Sequence, residues 1–272
     1  MVSEMKVIDY CVCCGSKNVE FTPGAIAPFI ADRIWGWVPQ AHKSSEGYEF
    51  VAFPLCKTVR CQDCDYVGCD IRFDDEEMGK LYTNYRDEQY VALREKYEPA
   101  YRKLNNELEN EQVGYFAEME AFILDDMSVK PARVLDWGGN NGINTPFTDA
   151  ETVHIYEIGG KAPLYGKLVN EPEPPYDLIV LSNTLEHVPY PRNMLRQIKG
   201  SMSKDTLLYI EIPIEELWMA MWHEHINKFS PKSAERLLHV CGLKMLRMKL
   251  CPPPKHGYSN LAMINCRRAD ED

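Results

Sequence analysis

Three groups of residues in this 272-residue chain combine side-chain type and spacing in ways that suit chemistry. The first is cysteine. "CVCCGS" holds Cys11-x-x-Cys14-Gly15, and "CQDCDY" holds Cys61-x-x-Cys64-Asp65. Each C-x-x-C turn aims two thiolates at one point, and a small residue after the second Cys permits the tight turn, so the pair of knuckles suits tetrahedral Zn²⁺. Four protein ligands close the shell and make such an ion structural. Cys13 could replace a neighbour as ligand, and Cys56 or Cys69 could compete. The second group is "VLDWGGNNG", in which Asp136 ends an apolar run and Gly138, Gly139 and Gly142 follow. The spacing is G-G-x-x-G rather than the dinucleotide G-x-G-x-x-G, yet glycines here still let the backbone approach a ligand closely. Glu157 closes the next apolar run, placed to accept hydrogen bonds from a ribose diol, so an adenosine-type ligand is expected. The third is His223-Glu224-His225 in "MWHEHINKFS". It could bind a metal, supply a general base, or bond to backbone. Adjacent histidines lack the one-turn separation of H-E-x-x-H, which counts against a metal there.

The elements that must position these groups fall into three parts. Residues 1–72 carry seven of the ten cysteines and form the zinc-binding module. Its long segment between the knuckles, including "APFIADRIWGW", is an insertion that reaches towards a partner or the active site. Residues 73–130 are charged, with Tyr90, Leu93, Tyr97, Tyr101, Leu104 and Leu108 at three- and four-residue steps, so a helical linker or lid is expected, broken near Pro99. From 131 to 272, "ARVLDWGG", "TVHIYEI", "YDLIVLSN" and "TLLYIEIP" read as buried parallel strands. Helices are expected in "RNMLRQIKGSM" and "SPKSAERLLHVCG", the latter with Ser230 as N-cap, Pro231 at N1 and Gly242 closing it. "GLKMLRMKL" and "LAMINCRR" read as a terminal strand pair. The class is α/β, a Rossmann-like sheet with an antiparallel strand added.

Composition narrows the partners. Net charge is −11, with 30 Lys and Arg against 41 Asp and Glu, which disfavours a polyanion such as nucleic acid. No run of eighteen apolar residues indicates a membrane span, and the N-terminus lacks a secretory pattern. A cytoplasmic setting is expected, where clustered cysteines serve as metal ligands more than as disulfides.

Residues 131–268 resemble a class I S-adenosylmethionine (SAM)-dependent methyltransferase. "LDWGGNNG" is similar to the family's first glycine motif, Glu157 to its ribose-binding acid, and "LSNTLEHVPYP" to the segment after the fourth strand that flanks the cofactor. The whole chain, knuckles included, resembles the sugar C-methyltransferase group without that group's C-terminal domain. Gly138-Gly139-Asn140-Asn141-Gly142, Ser182-Asn183-Thr184-Leu185-Glu186-His187 and H-E-H-I-x-x-F-S carry this likeness. Trp222 stands where the group has a tyrosine, and Tyr82 or Tyr85 falls near its acceptor-facing tyrosine. The resemblance implies a seven-stranded methyltransferase sheet. It also implies SAM held by Asp136, Gly138, Gly139, Asn140, Gly142, Glu157, Ser182, Asn183 and Glu186. His225 would be the general base, oriented by Glu224, acting on a small acceptor such as a sugar nucleotide or other phosphorylated or sugar-derived metabolite. An imidazole with an ordinary pKa of about 6.5 suits that task. The alternative from another class is a zinc-containing scaffold with a degenerate pocket.

Overall fold

The computed structural model describes residues 6–38, 41–43, 45, 49–51, 54–215, 222–252 and 260–269. The N-terminal part contributes β1 (Lys6–Val7), β2 (Val19–Ile26), α1 (Pro28–Trp35), β3 (Ala41–Lys43), β4 (Glu49–Val51), β5 (Leu55–Cys61), β6 (Val67–Cys69) and β7 (Ile71–Arg72). Four helices follow: α2 (Asp75–Tyr82), α3 (Glu88–Glu95), α4 (Tyr101–Asn110) and α5 (Phe116–Leu124). The remainder holds β8 (Arg133–Trp137), β9 (Thr152–Tyr156), β10 (Lys167–Leu168), β11 (Leu178–Ser182), α6 (Pro191–Gly200), β12 (Leu207–Ile214), β13 (Trp222–His223), β14 (Asn227–Lys228), α7 (Pro231–Val240), β15 (Leu243–Cys251) and β16 (Asn260–Arg268). Among the described residues no helix is long and apolar enough to cross a membrane.

The apolar runs after Pro131 form a seven-stranded sheet in the order β10-β9-β8-β11-β12-β16-β15. The strands are parallel up to β12; β16 runs antiparallel to β12, and β15 antiparallel to β16. Period-two alternation divides each central strand between two cores. Val134, Leu178, Val180, Leu207 and Tyr209 face Met119, Phe122 and Ile123 of α5. Leu135, Ile179, Leu181, Leu208 and Ile210 face α6, α7 and the cysteine-bearing segment. The helix boundaries follow local chemistry: Ser230 caps α7 in a reciprocal pair with Ser233, Pro231 sits in its first turn, and Gly242 exits at φ +69°. No helix is assigned between β8 and β9 or between β9 and β11; turns take their place. Strand order reverses direction about β8, so the crevice at the carboxyl ends of β8 and β11 is the expected ligand position.

The expected long helix of the linker is broken on either side of Pro99, where α3 ends and α4 begins. Tyr90 and Tyr101 are buried with Phe29, Ile30 and Ile34 of α1, and Leu93, Tyr97 and Leu104 pack against that cluster. The segment between the knuckles thus serves as the floor for the helical part.

The second sheet, β13-β2-β5-β6-β14, joins distant parts of the chain. β13 pairs with β2 at one edge, and β14 pairs with β6 at the other. The four residue steps from His223 to Asn227 span at most about 14 Å. In a flat sheet those edges would lie roughly 19 Å apart. The sheet must therefore curl, with the His223–Asn227 turn closing it. The interior of the curl is polar. A Cβ on Gly24 would meet Thr58, His223 and Cys56, and one on Gly68 would lie 2.7 Å from the Ile226 carbonyl.

Asn227 is the knot of this closure. Its Oδ1 accepts from Tyr66 OH at 2.6 Å and Arg72 Nη1 at 2.8 Å, and its Nδ2 donates to the Leu185 and Val188 carbonyls at 2.8 and 2.7 Å. Arg72, fully buried, also donates through Nη2 to Tyr66 OH and the Cys69 carbonyl. Truncating Asn227 would leave a buried guanidinium and two carbonyls short of partners, at a cost of about 3 kcal/mol or more. Asn227→Ala is expected to lower the denaturation midpoint by that amount. Asn227→Asp, which keeps the acceptor for Arg72, is expected to lose less. Equal losses in the two, measured by urea unfolding, would show that the Arg72 contact is not what matters.

Candidate active site

The glycine motif forms a tight loop at the end of β8. Gly138, Asn140 and Gly142 all have positive φ, at +81°, +50° and +74°. A Cβ on Gly139 would lie 2.5 Å from Asp136 Oδ2, and one on Gly138 would lie 2.7 Å from the Thr184 hydroxyl. Side chains cannot be fitted there, so bare backbone faces the crevice. Asp136 is buried behind the loop and accepts from Thr145 Oγ1 at 2.5 Å; burial pushes its carboxyl up to about 7. Glu157 closes the loop from β9, accepting from Asn140 N at 3.1 Å and Gly159 N at 2.9 Å. Six of the residues expected at a cofactor site (Asp136, Gly138, Gly139, Asn140, Gly142 and Glu157) therefore converge.

The other three lie at the end of β11, which pairs with β8, and in the turn after it. Ser182 ends β11, and its carbonyl accepts from the Thr184 hydroxyl. Asn183, at φ +46°, turns onto β12, where Nδ2 donates to Glu211 Oε1 at 2.7 Å. Glu211 is buried and also accepts from Tyr115 OH and Tyr209 OH. Glu186 lies in a histidine pocket with His187 and His225. Its carboxylate is 1% exposed, with Oε1 3.8 Å from His187 Nε2, and burial raises its pKa to about 7.

That pocket explains the H-E-H stretch. The His187 and His225 rings meet edge-on with centroids 4.7 Å apart. Burial, then the neighbouring His225, Arg94 and Arg86, holds His187 well below the ordinary imidazole value. The orienting partner of His225 is Glu215, not Glu224: Nδ1 donates to Glu215 Oε1 at 2.5 Å. Burial opposes the charged imidazole, but the Glu215 bond and the carboxylates of Glu186 and Glu224 outweigh it and raise its pKa. Burial likewise opposes the Glu215 carboxylate, yet His225 and Lys228 hold it down at about 2. Nδ1 is thus committed to Glu215. Glu224 instead pairs with Arg94, whose guanidinium also binds Glu98 and lies 4.1 Å over the Tyr101 ring. His223 is structural: buried, bonded to the Thr58 hydroxyl at 2.8 Å, and pushed down to about 3 by burial and the nearby Lys228 and Arg72.

The helical part lies over both sites. Tyr82 and Tyr85 stack at 5.3 Å, and a Cβ on Gly159, two residues from Glu157, would be 3.6 Å from Tyr82 O. Burial, then Tyr85, Tyr90 and the carboxylates of Glu186 and Glu157, keeps the Tyr82 phenol well above its usual pKa. Tyr82 thus sits between Glu157 and the histidine pocket. Glu109 of α4 reaches the glycine loop, accepting from Asn140 Nδ2 at 2.8 Å, and pairs with Arg86 and Lys161.

The four knuckle cysteines also meet. Their sulfurs lie within 4.8 Å of one another, with Cys11 to Cys64 at 3.7 Å and Cys14 to Cys61 at 3.6 Å. A tetrahedral ion with Zn–S bonds of about 2.3 Å requires sulfurs roughly 3.8 Å apart. Gly15 and Asp65 take the positive-φ position after each knuckle. Cys13 donates to the Ser233 carbonyl at 3.0 Å and stays beside Cys11 and Cys64, while Cys56 and Cys69 gather with Asp70.

Sequence reasoning passed over Glu215, Arg94 and His187 as working residues. Glu215 carries no spacing signal, and Arg94 is one charge among many on an amphipathic helix. His187 was visible within "LEHV" but without a role, because its neighbour is distant in sequence.

A family model described as a methyltransferase domain matches residues 82–247. No curated protein sequence matches the chain. Among solved structures, the 1,6-didemethyltoxoflavin-N1-methyltransferase of Burkholderia thailandensis, with bound 1,6-didemethyltoxoflavin and S-adenosylhomocysteine, superposes with a TM-score of 0.52. It is 15% identical, over 77% of this chain and 98% of that one. The N-methyltransferase NodS of Bradyrhizobium japonicum WM9 gives 0.44 at 12% identity, over 57% and 94%. The SAM-bound magnesium protoporphyrin IX methyltransferase of Synechocystis PCC 6803 gives 0.44 at 11%, over 57% and 78%. At these identities the likeness is one of fold. The family match spans more than half of the sequence, so the chain belongs to the methyltransferase-domain family, on the Rossmann-like sheet of its SAM-dependent members.

Proposed function

We propose that the protein is a SAM-dependent methyltransferase acting on a small polar acceptor, with His225 as general base. The observation that carries this reading is the bare glycine loop facing the crevice, closed by Glu157 at the switch point of the sheet. The residues fit the cofactor: backbone amides and an acid suit an amino-acid carboxylate or a ribose diol. SAM would supply an electrophilic methyl group for in-line transfer.

The chain's own task is to align the acceptor and take its proton. Glu215 fixes the His225 ring through Nδ1, leaving Nε2 to receive that proton, and Lys228 pins Glu215 in turn. Tyr82, Tyr85 and Tyr90 form an aromatic cover that excludes water. Arg86 and Arg94 close to the histidine pair favour an acceptor with anionic or hydroxyl groups. A sugar nucleotide or another phosphorylated, sugar-derived metabolite fits that chemistry. The four knuckle cysteines, at tetrahedral spacing, would hold a structural Zn²⁺.

Calorimetry should detect SAM binding in the wild type and a loss of about 10- to 100-fold in Glu157→Ala, the range for a charged hydrogen bond. Zinc-loaded protein with no SAM affinity would favour the scaffold reading instead. In an acceptor screen beginning with sugar nucleotides, His225→Ala should lower kcat by about 100-fold or more while SAM affinity holds. Retention of turnover in that variant would remove His225 as base. One zinc per chain is expected by elemental analysis, and Cys64→Ser should lose the metal and melt at a lower temperature. A metal-free wild type of unchanged Tm after chelation would rule out a structural ion.

A further inference from the structure

The geometry points to a second cation site, distinct from the four cysteines: Glu186, His187 and His225 form a binding site for a divalent transition-metal ion at the mouth of the acceptor crevice. Each residue offers one ligand atom, and the three atoms lie within 4.8 Å of one another. Two imidazoles and a carboxylate suit borderline ions such as Zn²⁺, Co²⁺ or Fe²⁺.

A second observation is independent of that grouping. Glu186 Oε2 is buried and has no hydrogen-bond partner among the described residues. A carboxylate oxygen buried in this way costs free energy unless a proton or a cation binds it. The arginines and the lysine around it are otherwise engaged: Arg94 pairs with Glu224 and Glu98, Arg86 with Glu109, and Lys228 with Glu215.

The surroundings are preorganised. The two turns that carry the ligands are tied together by Asn227 N donating to the Glu186 carbonyl at 3.0 Å, and His187 N is held by the Thr184 carbonyl at 3.0 Å. His225 already donates Nδ1–H to Glu215, the carboxylate–histidine arrangement that fixes the tautomer and leaves Nε2 for a metal. Bonds of about 2.1 Å place ligand atoms roughly 3.0–3.4 Å apart. From 3.8 Å between Glu186 Oε1 and His187 Nε2, small side-chain rotations close the remainder.

This inference rests on the crevice assignment of the proposed function and adds a consequence. A single lone pair on His225 Nε2 cannot accept a proton and ligate an ion together. Occupancy of the site therefore inhibits proton removal from the acceptor.

Protein carrying one zinc per chain, at the cysteines, would be titrated with Co²⁺, followed by visible absorption and calorimetry. Thiolate charge-transfer absorption identifies any exchange at the cysteines. The expected result is one further Co²⁺ per chain with weak nitrogen/oxygen-type bands, lost in His187→Ala and weakened at least 10-fold in Glu186→Gln, while SAM affinity is unchanged in His187→Ala. No further Co²⁺, or binding undiminished in His187→Ala, overturns the site. Where an acceptor is turned over, the same Co²⁺ concentration should suppress turnover in the wild type. Co²⁺ bound with no effect on turnover overturns the inhibitory role. Co²⁺ binding in protein that has no SAM affinity keeps the site and removes the enzyme reading, so the two fail separately.

Discussion

One buried hydrogen-bonding node, Asn227 with Arg72 and Tyr66, holds the architecture together. It binds β6 and β7 of the cysteine-rich part, the turn after β11, and the segment after β12 to one side chain. A guanidinium with no exposure is tolerable only if most of its donors are met, and here neutral oxygens meet them. Because amide, phenol and guanidinium each satisfy the others, none can move alone. That constraint fixes where His225, two residues before Asn227, must lie.

The curl of the second sheet is the geometric expression of that node. A short turn between β13 and β14 closes the sheet from both edges, and small residues line the place where the backbones approach. The four cysteines sit on the same body, and Cys11, Cys61 and Cys64 are buried against the face of the large sheet that also packs α6 and α7. The cysteine cluster and the histidine pocket are thus parts of one packing unit, although nearly the whole chain separates them in sequence.

The electrostatics of the crevice follow from compensation. Glu215 lies between His225 and Lys228, Glu224 faces Arg94, and Glu109 is shared by Arg86, Lys161 and the glycine loop. Buried charges are held in pairs because a lone ion in such surroundings would be costly. Asp136 and Glu211 are met by hydroxyl and amide donors instead, whereas Glu186 keeps an unsatisfied oxygen beside the two histidines.

Local rules in the sequence were sufficient for several features. The Ser230–Pro231–Gly242 helix signals, the break at Pro99, the buried parallel strands β11 and β12, and the tight turn after each C-x-x-C depend on near neighbours, and each appears as expected. The closeness of Glu157 to the glycine loop was also legible, since two adjacent parallel strands, β8 and β9, set it. Tertiary structure alone decided that Glu215 rather than Glu224 orients His225, that Glu186 meets His187 and His225, and that Cys13 bonds to the Ser233 carbonyl. The physical reason is separation: each of these outcomes is set by a partner brought in by sheet closure or helix packing. Neighbouring residues along a chain specify backbone shape, whereas the direction of a charged side chain is settled by whichever opposite charge or free lone pair the fold carries within reach.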